Sequence, residues 1–419
     1  MENKKNLNGT ILILTVFVGF LVFGLSENIK GPAVPRIQED FFLSESQIGF
    51  MLALNSIGYL IACTYTPFLS KKIGLKNTTV LCFLIMAFSG ILIGMSQNFV
   101  MFSGSYFVMY LGNGMLEIAL GVIAAIAFTK NTGTMMNLAH FFYGLSSMVA
   151  PLIATKLMLT DISGQTLGWR GMYLIVLMLS LIPIIPTLLG KFPKSEGEEQ
   201  VSIKESFKEM GKNKKILLIT FILSFGVTCE MTVGGWLVNY LEKAQGFSSG
   251  DASKMLMGFF FCFMLARLIF GPIIDKVGFE KSLLILSAFA GISILVGVLI
   301  GSGANFLLIL AGFGISPIYP TVMAIIAKEF REKIEIAMSF ILTFMGVAIV
   351  IGNLLVGVVV DLVKIIFSNI YGIEVGTKLG YSAGFLFIGF CSLICSLGTI
   401  KLLKLIKEEK DFNNLETTV

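Results

Sequence analysis

The sequence predicts an all-α membrane protein of twelve transmembrane helices, built as two six-helix repeats, and three observations predict it. Of 419 residues, 55% are hydrophobic and only 14% are charged, whereas a soluble domain carries about 25% charge. No charged residue stands between Lys76 and Glu117, or between Lys281 and Lys328; each stretch is about twice the ~20 residues that one crossing helix requires. A turn also recurs: Pro67-Phe-Leu-Ser-Lys-Lys-Ile-Gly74 aligns with Gly271-Pro-Ile-Ile-Asp-Lys-Val-Gly278. The same offset carries the polar turn Ser96-Gln97-Asn98 onto the region Gly301-Ser302-Gly303. Thirty-seven Phe, 21 Met and 44 Gly suit helices that are solvated by lipid and approach one another at small residues.

Charged and turn-forming residues divide the chain into spans at roughly 11–35, 46–70, 78–96, 99–129, 134–159, 170–190, 215–241, 252–275, 281–300, 304–328, 334–361 and 379–402, each long enough to cross with some tilt. The first follows Lys4 and Lys5 and runs apolar from Ile11 to Ser26. It continues through Glu27 to Pro35, so it reads as a full span and not as a cleaved leader. The sixth and seventh are separated by the one long polar segment, Lys191 to Lys215, which mixes five glutamates with seven lysines. The expected domains are therefore an N-terminal bundle over 1–190, a cytoplasmic linker over 191–214 and a C-terminal bundle with a short tail over 215–419. Val201, Ile203, Phe207 and Met210 allow the linker a short surface helix, with a solvated connector as the plainer expectation.

Twenty-two Lys and Arg fall in the loops that share a side with both termini, against eight in the opposite set. Cationic loops stay inside, which places both termini in the cytoplasm of a cell-membrane protein. The net charge of +5 follows from that asymmetry and calls for no nucleic-acid partner. Six cysteines in apolar stretches and one histidine argue against a metal or redox centre. Gly190-Lys191 and Gly211-Lys212 complete no phosphate-binding loop, and no nucleophile, base and orienter come together as an enzyme would require. The chain reads as a monomer in the lipid bilayer handling a small-molecule substrate without a cofactor.

Gly271-x-x-x-Asp275-Lys276-x-Gly278 resembles the motif of the major facilitator superfamily between spans two and three, repeated between eight and nine, and Gly168-Trp169-Arg170 resembles its opening of span six. The first copy departs from the motif at Lys71 and Leu75. Within that superfamily, Leu116-Glu117, Asn137-Leu-Ala-His-Phe-Phe-Tyr-Gly144 and Gly312-Phe-Gly-Ile-Ser-Pro-Ile-Tyr-Pro-Thr321 are similar to the fucose permease type of sugar:proton symporter. That type carries an Asp four residues before the proline equivalent to Pro35, where this chain has Gly31. The resemblance implies two half-repeats with a substrate site near mid-membrane and Tyr319 among the substrate contacts. It also implies proton-coupled uptake of a small hydroxylated solute such as a monosaccharide, with the proton, or sodium in its place, as coupling ion. Proton-linked export of drugs or metabolites is the alternative, and a non-transporting membrane sensor a remote one.

Ionisable groups inside a bilayer cost at least about 2.5 kcal/mol on insertion scales, so each requires a reason. Glu117 shares a helical face with Tyr110, Asn113 and Gly121, as expected of a proton-binding carboxylate beside solute-binding groups; a packing carboxyl is the plainer alternative. Glu27 and Glu230 stand at similar depths in the two halves. Lys30, three residues after Glu27, permits an intrahelical pair, and Glu230 precedes Gly234-Gly235, a place for a local helix break. Trp236, Asn239 and Tyr240 make either a sugar-stacking platform or an interfacial aromatic belt. Asn137 and His140 open a polar stripe of span five, where His140 suits proton relay or hydrogen-bonded packing. Asn55 and Asn353 are amides for solute or for bridging helices. Arg267, Gly271, Asp275, Lys276 and Gly278 read as gating or structural residues, and Gly90-x-x-x-Gly94 as a close helix contact.

Overall fold

A computed structural model of the protein describes residues 2–128, 132–162, 164–192, 207–208, 210–330 and 334–416. Among these, eleven helices or helix pairs are long and apolar enough to cross a membrane, and Glu45–Ala62 with Thr64–Ile73, bent by 42°, makes a twelfth. In order they are α1 (Glu2–Asn28) with α2 (Lys30–Phe41), α3 (Glu45–Ile73), α4 (Leu75–Gly94), α5 (Phe99–Ala127), α6 (Thr132–Met158), and α7 (Gly168–Met178) with α8 (Ile184–Leu189). Then follow α9 (Lys214–Gln245), α10 (Ser249–Val277), α11 (Phe279–Ile300), α12 (Phe306–Ile315) with α13 (Ile318–Glu329), α14 (Ile334–Tyr371) and α15 (Ile373–Glu416). A two-residue hairpin, β1 (Asp161–Ile162) with β2 (Gln165–Thr166), joins α6 to α7. Most of the expected linker lies outside the described residues.

Local chemistry accounts for the helix limits. Ser44 and Gln47 form a reciprocal capping box at the start of α3, and Asn98 accepts from the Met101 N–H at 2.9 Å at the start of α5, satisfying amides left without intrahelical acceptors. The recurring turn is the same device in both halves. Gly74 sits at φ +85° between α3 and α4, and Gly278 at φ +98° between α10 and α11, a backbone region that only glycine enters without strain.

Among the described residues, three spans are interrupted at proline. Pro32 and Pro35 lack the N–H groups that would reach the carbonyls of Asn28 and Gly31, and span one breaks at Ile29. Pro183 and Pro186 follow a short 3₁₀ turn at Leu179–Leu181 in span six. Ser316-Pro317 divides span ten, with Ser316 Oγ donating to the Phe263 carbonyl at 2.6 Å. By contrast, α9 runs unbroken through Gly234-Gly235, where a break was expected: a helix tolerates glycine when packing holds it, and a Cβ at Gly235 would lie 3.0 Å from Leu52. The last two spans extend beyond their expected limits, to Tyr371 and Glu416.

The helices form two compact units. One comprises Met1–Glu198, Gly234–Glu242 and Gly246–Phe260, the other Glu199–Val233, Lys243–Gln245 and Phe261–Val419. In the first, glycines let helices touch: a Cβ at Gly114 would lie 2.8 Å from Ala62 Cβ, and one at Gly90 2.9 Å from Leu177 Cβ. The Gly90-x-x-x-Gly94 stripe thus seats α4 on α7. Asp40 receives Arg170 Nη1 at 2.5 Å and Trp169 Nε1 at 3.2 Å, while Arg170 Nε donates to the Ser96 carbonyl at 2.8 Å. This ties α2, α4 and α7 together through Gly168-Trp169-Arg170. The second unit has its own core, including Ile216, Leu223 and Val227 of α9, Leu283 of α11, Ile318 and Val322 of α13, Ile341 of α14 and Cys395 of α15. Lys215 and Glu329 pair across it at 2.6 Å.

Candidate functional site

The break in span one is where the first unit concentrates its buried polarity. Glu27 ends α1 and Lys30 begins α2, and the two side chains, 13% and 6% exposed, form an ion pair. Lys30 is buried inside the span, where the interrupted helix turns it back onto Glu27. Its ammonium also lies 5.4 Å from the centre of the Tyr110 ring. Tyr110 OH approaches Glu27 Oε1 at 3.4 Å and Asn113 Nδ2 approaches Oε2 at 3.5 Å. Ser26 Oγ donates to Asn113 Oδ1 at 3.1 Å. Asn28 Nδ2 donates to Ser147 Oγ of α6 at 2.9 Å, so the α1 side of the break is held by α5 and α6.

Glu117 lies two turns along α5 from Tyr110, on the same face. It is only partly buried, takes a hydrogen bond from Tyr59 of α3 and is within electrostatic range of Glu27. Tyr106, one turn before Tyr110, packs edge-on against it at 5.0 Å and against Tyr173 of α7 at 6.2 Å. The hydroxyls of Tyr106 and Tyr173 and Asn55 Oδ1 lie within polar reach of one another, yet each is buried without a well-formed hydrogen bond. Buried polar atoms in that condition cost about 1–3 kcal/mol each unless water or a solute completes them.

Gly31, where the resembling type has Asp, has no room for a side chain: a Cβ there would lie 2.5 Å from Leu256 and 3.0 Å from the Gly234 carbonyl. The carboxylate of span one is accordingly Glu27, one turn earlier. Trp236, Asn239 and Tyr240 are all buried, so they do not form a lipid-facing belt. Asn239 donates to Gln38 Oε1 at 3.2 Å, and Trp236 Nε1 is buried without an acceptor. His140 is exposed and packs on Phe20 at 5.3 Å between ring centres. The side chain of Asn137 lies outside the described ones.

The second unit holds the remaining candidates. Glu230 and Tyr319 are partly buried. Asn353 is buried and donates to the Ile349 carbonyl at 3.2 Å, leaving Oδ1 without a donor. The Arg267 guanidinium lies 4.7 Å from the Phe263 ring centre, while Gly271, Asp275 and Lys276 are exposed at the end of α10 next to the Gly278 turn.

Sequence reasoning passed over Tyr59, Tyr106 and Tyr173. Two of them carried a signal: Tyr106 extends the Tyr110–Asn113–Glu117 stripe by one turn, and Tyr59 follows Asn55 by four residues. Tyr173 had none, since only the packing of α7 against α5 brings it near.

The profile of the Major Facilitator Superfamily matches residues 16–353 and 228–417. The chain is 22% identical over 404 residues to the L-fucose-proton symporter of Escherichia coli strain K12, covering 89% of this chain and 91% of that protein. It is 23% identical over 386 residues to a TsgA homolog of Buchnera aphidicola, covering 89% and 95%. Among solved structures it resembles the E. coli fucose:proton symporter with a TM-score of 0.64 at 18% identity, over 94% of this chain and 99% of that one. The nucleoside transporter NupG gives a TM-score of 0.76 at 15% identity, over the same shares. At these identities the structural likeness speaks for the fold.

Proposed function

We propose that this chain, which belongs to the Major Facilitator Superfamily and is a membrane transporter and not an enzyme, takes up a small hydroxylated solute such as a monosaccharide together with a proton, by alternating access in the cell membrane with both termini cytoplasmic. The observation that carries the proposal is the cluster at the break of span one: two glutamates within electrostatic range, with tyrosine hydroxyls and amides around them, of which Tyr106 OH, Tyr173 OH and Asn55 Oδ1 lack well-formed hydrogen bonds. A solute rich in hydroxyls completes such atoms, because each hydroxyl both donates and accepts. The likeness to an L-fucose-proton symporter supports the same class.

Glu117 is the coupling group in this proposal. It can bind a proton from the outer solution with the solute and release both inside, with Tyr59 donating a hydrogen bond to its carboxylate. Glu230, in the second unit, is the alternative carrier. A membrane potential supplies about 2.3 kcal/mol per charge per 100 mV, so one proton per cycle supports a roughly 40-fold gradient of a neutral solute at ~1.4 kcal/mol per decade.

The test is uptake by proteoliposomes of a labelled panel of monosaccharides and their acid derivatives, with and without an imposed pH gradient. Glu117→Gln keeps the size and hydrogen bonding of the protonated carboxyl. It should exchange solute across the membrane at near wild-type rate while losing pH-driven accumulation. Full accumulation by this variant would move coupling to Glu230 or Glu27.

A further inference from the structure

Lys30 is a buried ammonium at the centre of a polar cluster, and the proposed uptake of a neutral solute gives it no task. An ammonium has three hydrogens to donate; the described partners of Lys30 are one carboxylate oxygen of Glu27 and the face of Tyr110. Glu27 is differently placed. Besides Lys30 it has Tyr110 OH and Asn113 Nδ2 directed at its two oxygens at 3.4 and 3.5 Å, long contacts that can shorten if the carboxylate moves toward α5. One member of the pair thus has waiting partners and the other does not. Of the nearby atoms without well-formed hydrogen bonds, Tyr106 OH and Tyr173 OH can donate and Asn55 Oδ1 accepts. With the spare hydrogens of the Lys30 ammonium, donors outnumber acceptors there, which favours a ligand rich in acceptors.

We infer that Lys30 is a specificity-determining residue that binds the carboxylate of an acidic solute, a sugar acid, which takes the place of Glu27 at its ammonium while Glu27 settles onto Tyr110 and Asn113. The inference rests on the proposed uptake reading and narrows its substrate. Charge balances: the solute brings one negative charge, and the coupling proton on Glu117 removes one, so the loaded and empty sites carry equal charge. A neutral aldose carried with one proton moves a positive charge across the membrane; the acid carried with one proton moves none.

The experiment compares D-glucose and D-galactose with D-glucuronate, D-galacturonate and D-gluconate in proteoliposomes, under an inward proton gradient, with and without an interior-negative potassium diffusion potential. Expected is accumulation of at least one acid, unchanged by the potential, abolished in Lys30→Gln and in the charge-neutral Glu27→Gln/Lys30→Gln, and retained in part by Lys30→Arg. The double variant guards against misfolding, because it leaves no unpaired charge. Accumulation of neutral aldoses, enhanced by the potential, with no transport of or competition by the acids would overturn the inference and leave the uptake reading standing. So would acid uptake that survives in the double variant. If no probe accumulates under a proton gradient, both readings fall.

Discussion

Glu27 and Lys30 show how a membrane interior tolerates two charges that it would reject singly. Each alone is a buried ion in a low-dielectric site, whereas together they neutralise one another at short range, and Tyr110 and Asn113 supply further polar contacts. Removing one partner of a buried pair costs about 3–5 kcal/mol, because the other charge is left uncompensated. Lys30→Met should therefore lower the apparent melting temperature in detergent markedly, Glu27→Gln likewise, and the double substitution should recover most of the loss. If the losses of the two single variants simply add in the double variant, the two groups do not stabilise one another. The spacing of three made this pair legible in the sequence, as the stripe Tyr110–Asn113–Glu117 made one face of α5. The donor to Glu117, Tyr59, was not legible, since a hydrogen bond between helices has no trace in the spacing along either one.

Among the helices, the interruptions and the glycine seams divide the work. Proline at 32 and 35 opens span one where Glu27 and Lys30 need room to face each other, and the Asn28–Ser147 bond holds the opened ends. Glycine acts in the opposite sense, closing gaps. Gly90 lies against Leu177, so Gly90→Leu must push α4 from α7, and overpacking of that kind costs about 1–3 kcal/mol. Gly104, exposed on the same unit with nothing near its would-be Cβ, should accept the same substitution within about 0.5 kcal/mol. Equal melting of the two variants in detergent would show that the seam does not hold the bundle. Gly234-Gly235 illustrates the ambiguity of the residue type, for the same pair of letters serves equally for a break and for a close approach, and here α9 stays whole against Leu52.

For the molecule as a whole, the excess of lysine and arginine on alternate loops predicts which end faces the cytoplasm. A cysteine introduced at Ser195 should resist an impermeant thiol reagent in intact cells, and one at Gln97 should react. Labelling at Ser195 from outside would invert the topology and with it the direction of transport proposed above.

Number and apolarity of the spans, and the repetition of the unit, were already settled by the order of residues, because lipid imposes a minimum length on every crossing helix and the backbone leaves few other ways to satisfy its amides there. The turn glycines at 74 and 278 belong to the same class, being local requirements of the chain. The arrangement of the site does not. That Gly31 is packed shut, that Tyr110 and Asn113 stand over the Glu27–Lys30 pair, and that Tyr59 reaches Glu117 all depend on which helix faces stand opposite one another. Those juxtapositions are summed over many small contacts between residues distant in sequence, and no local pattern encodes them.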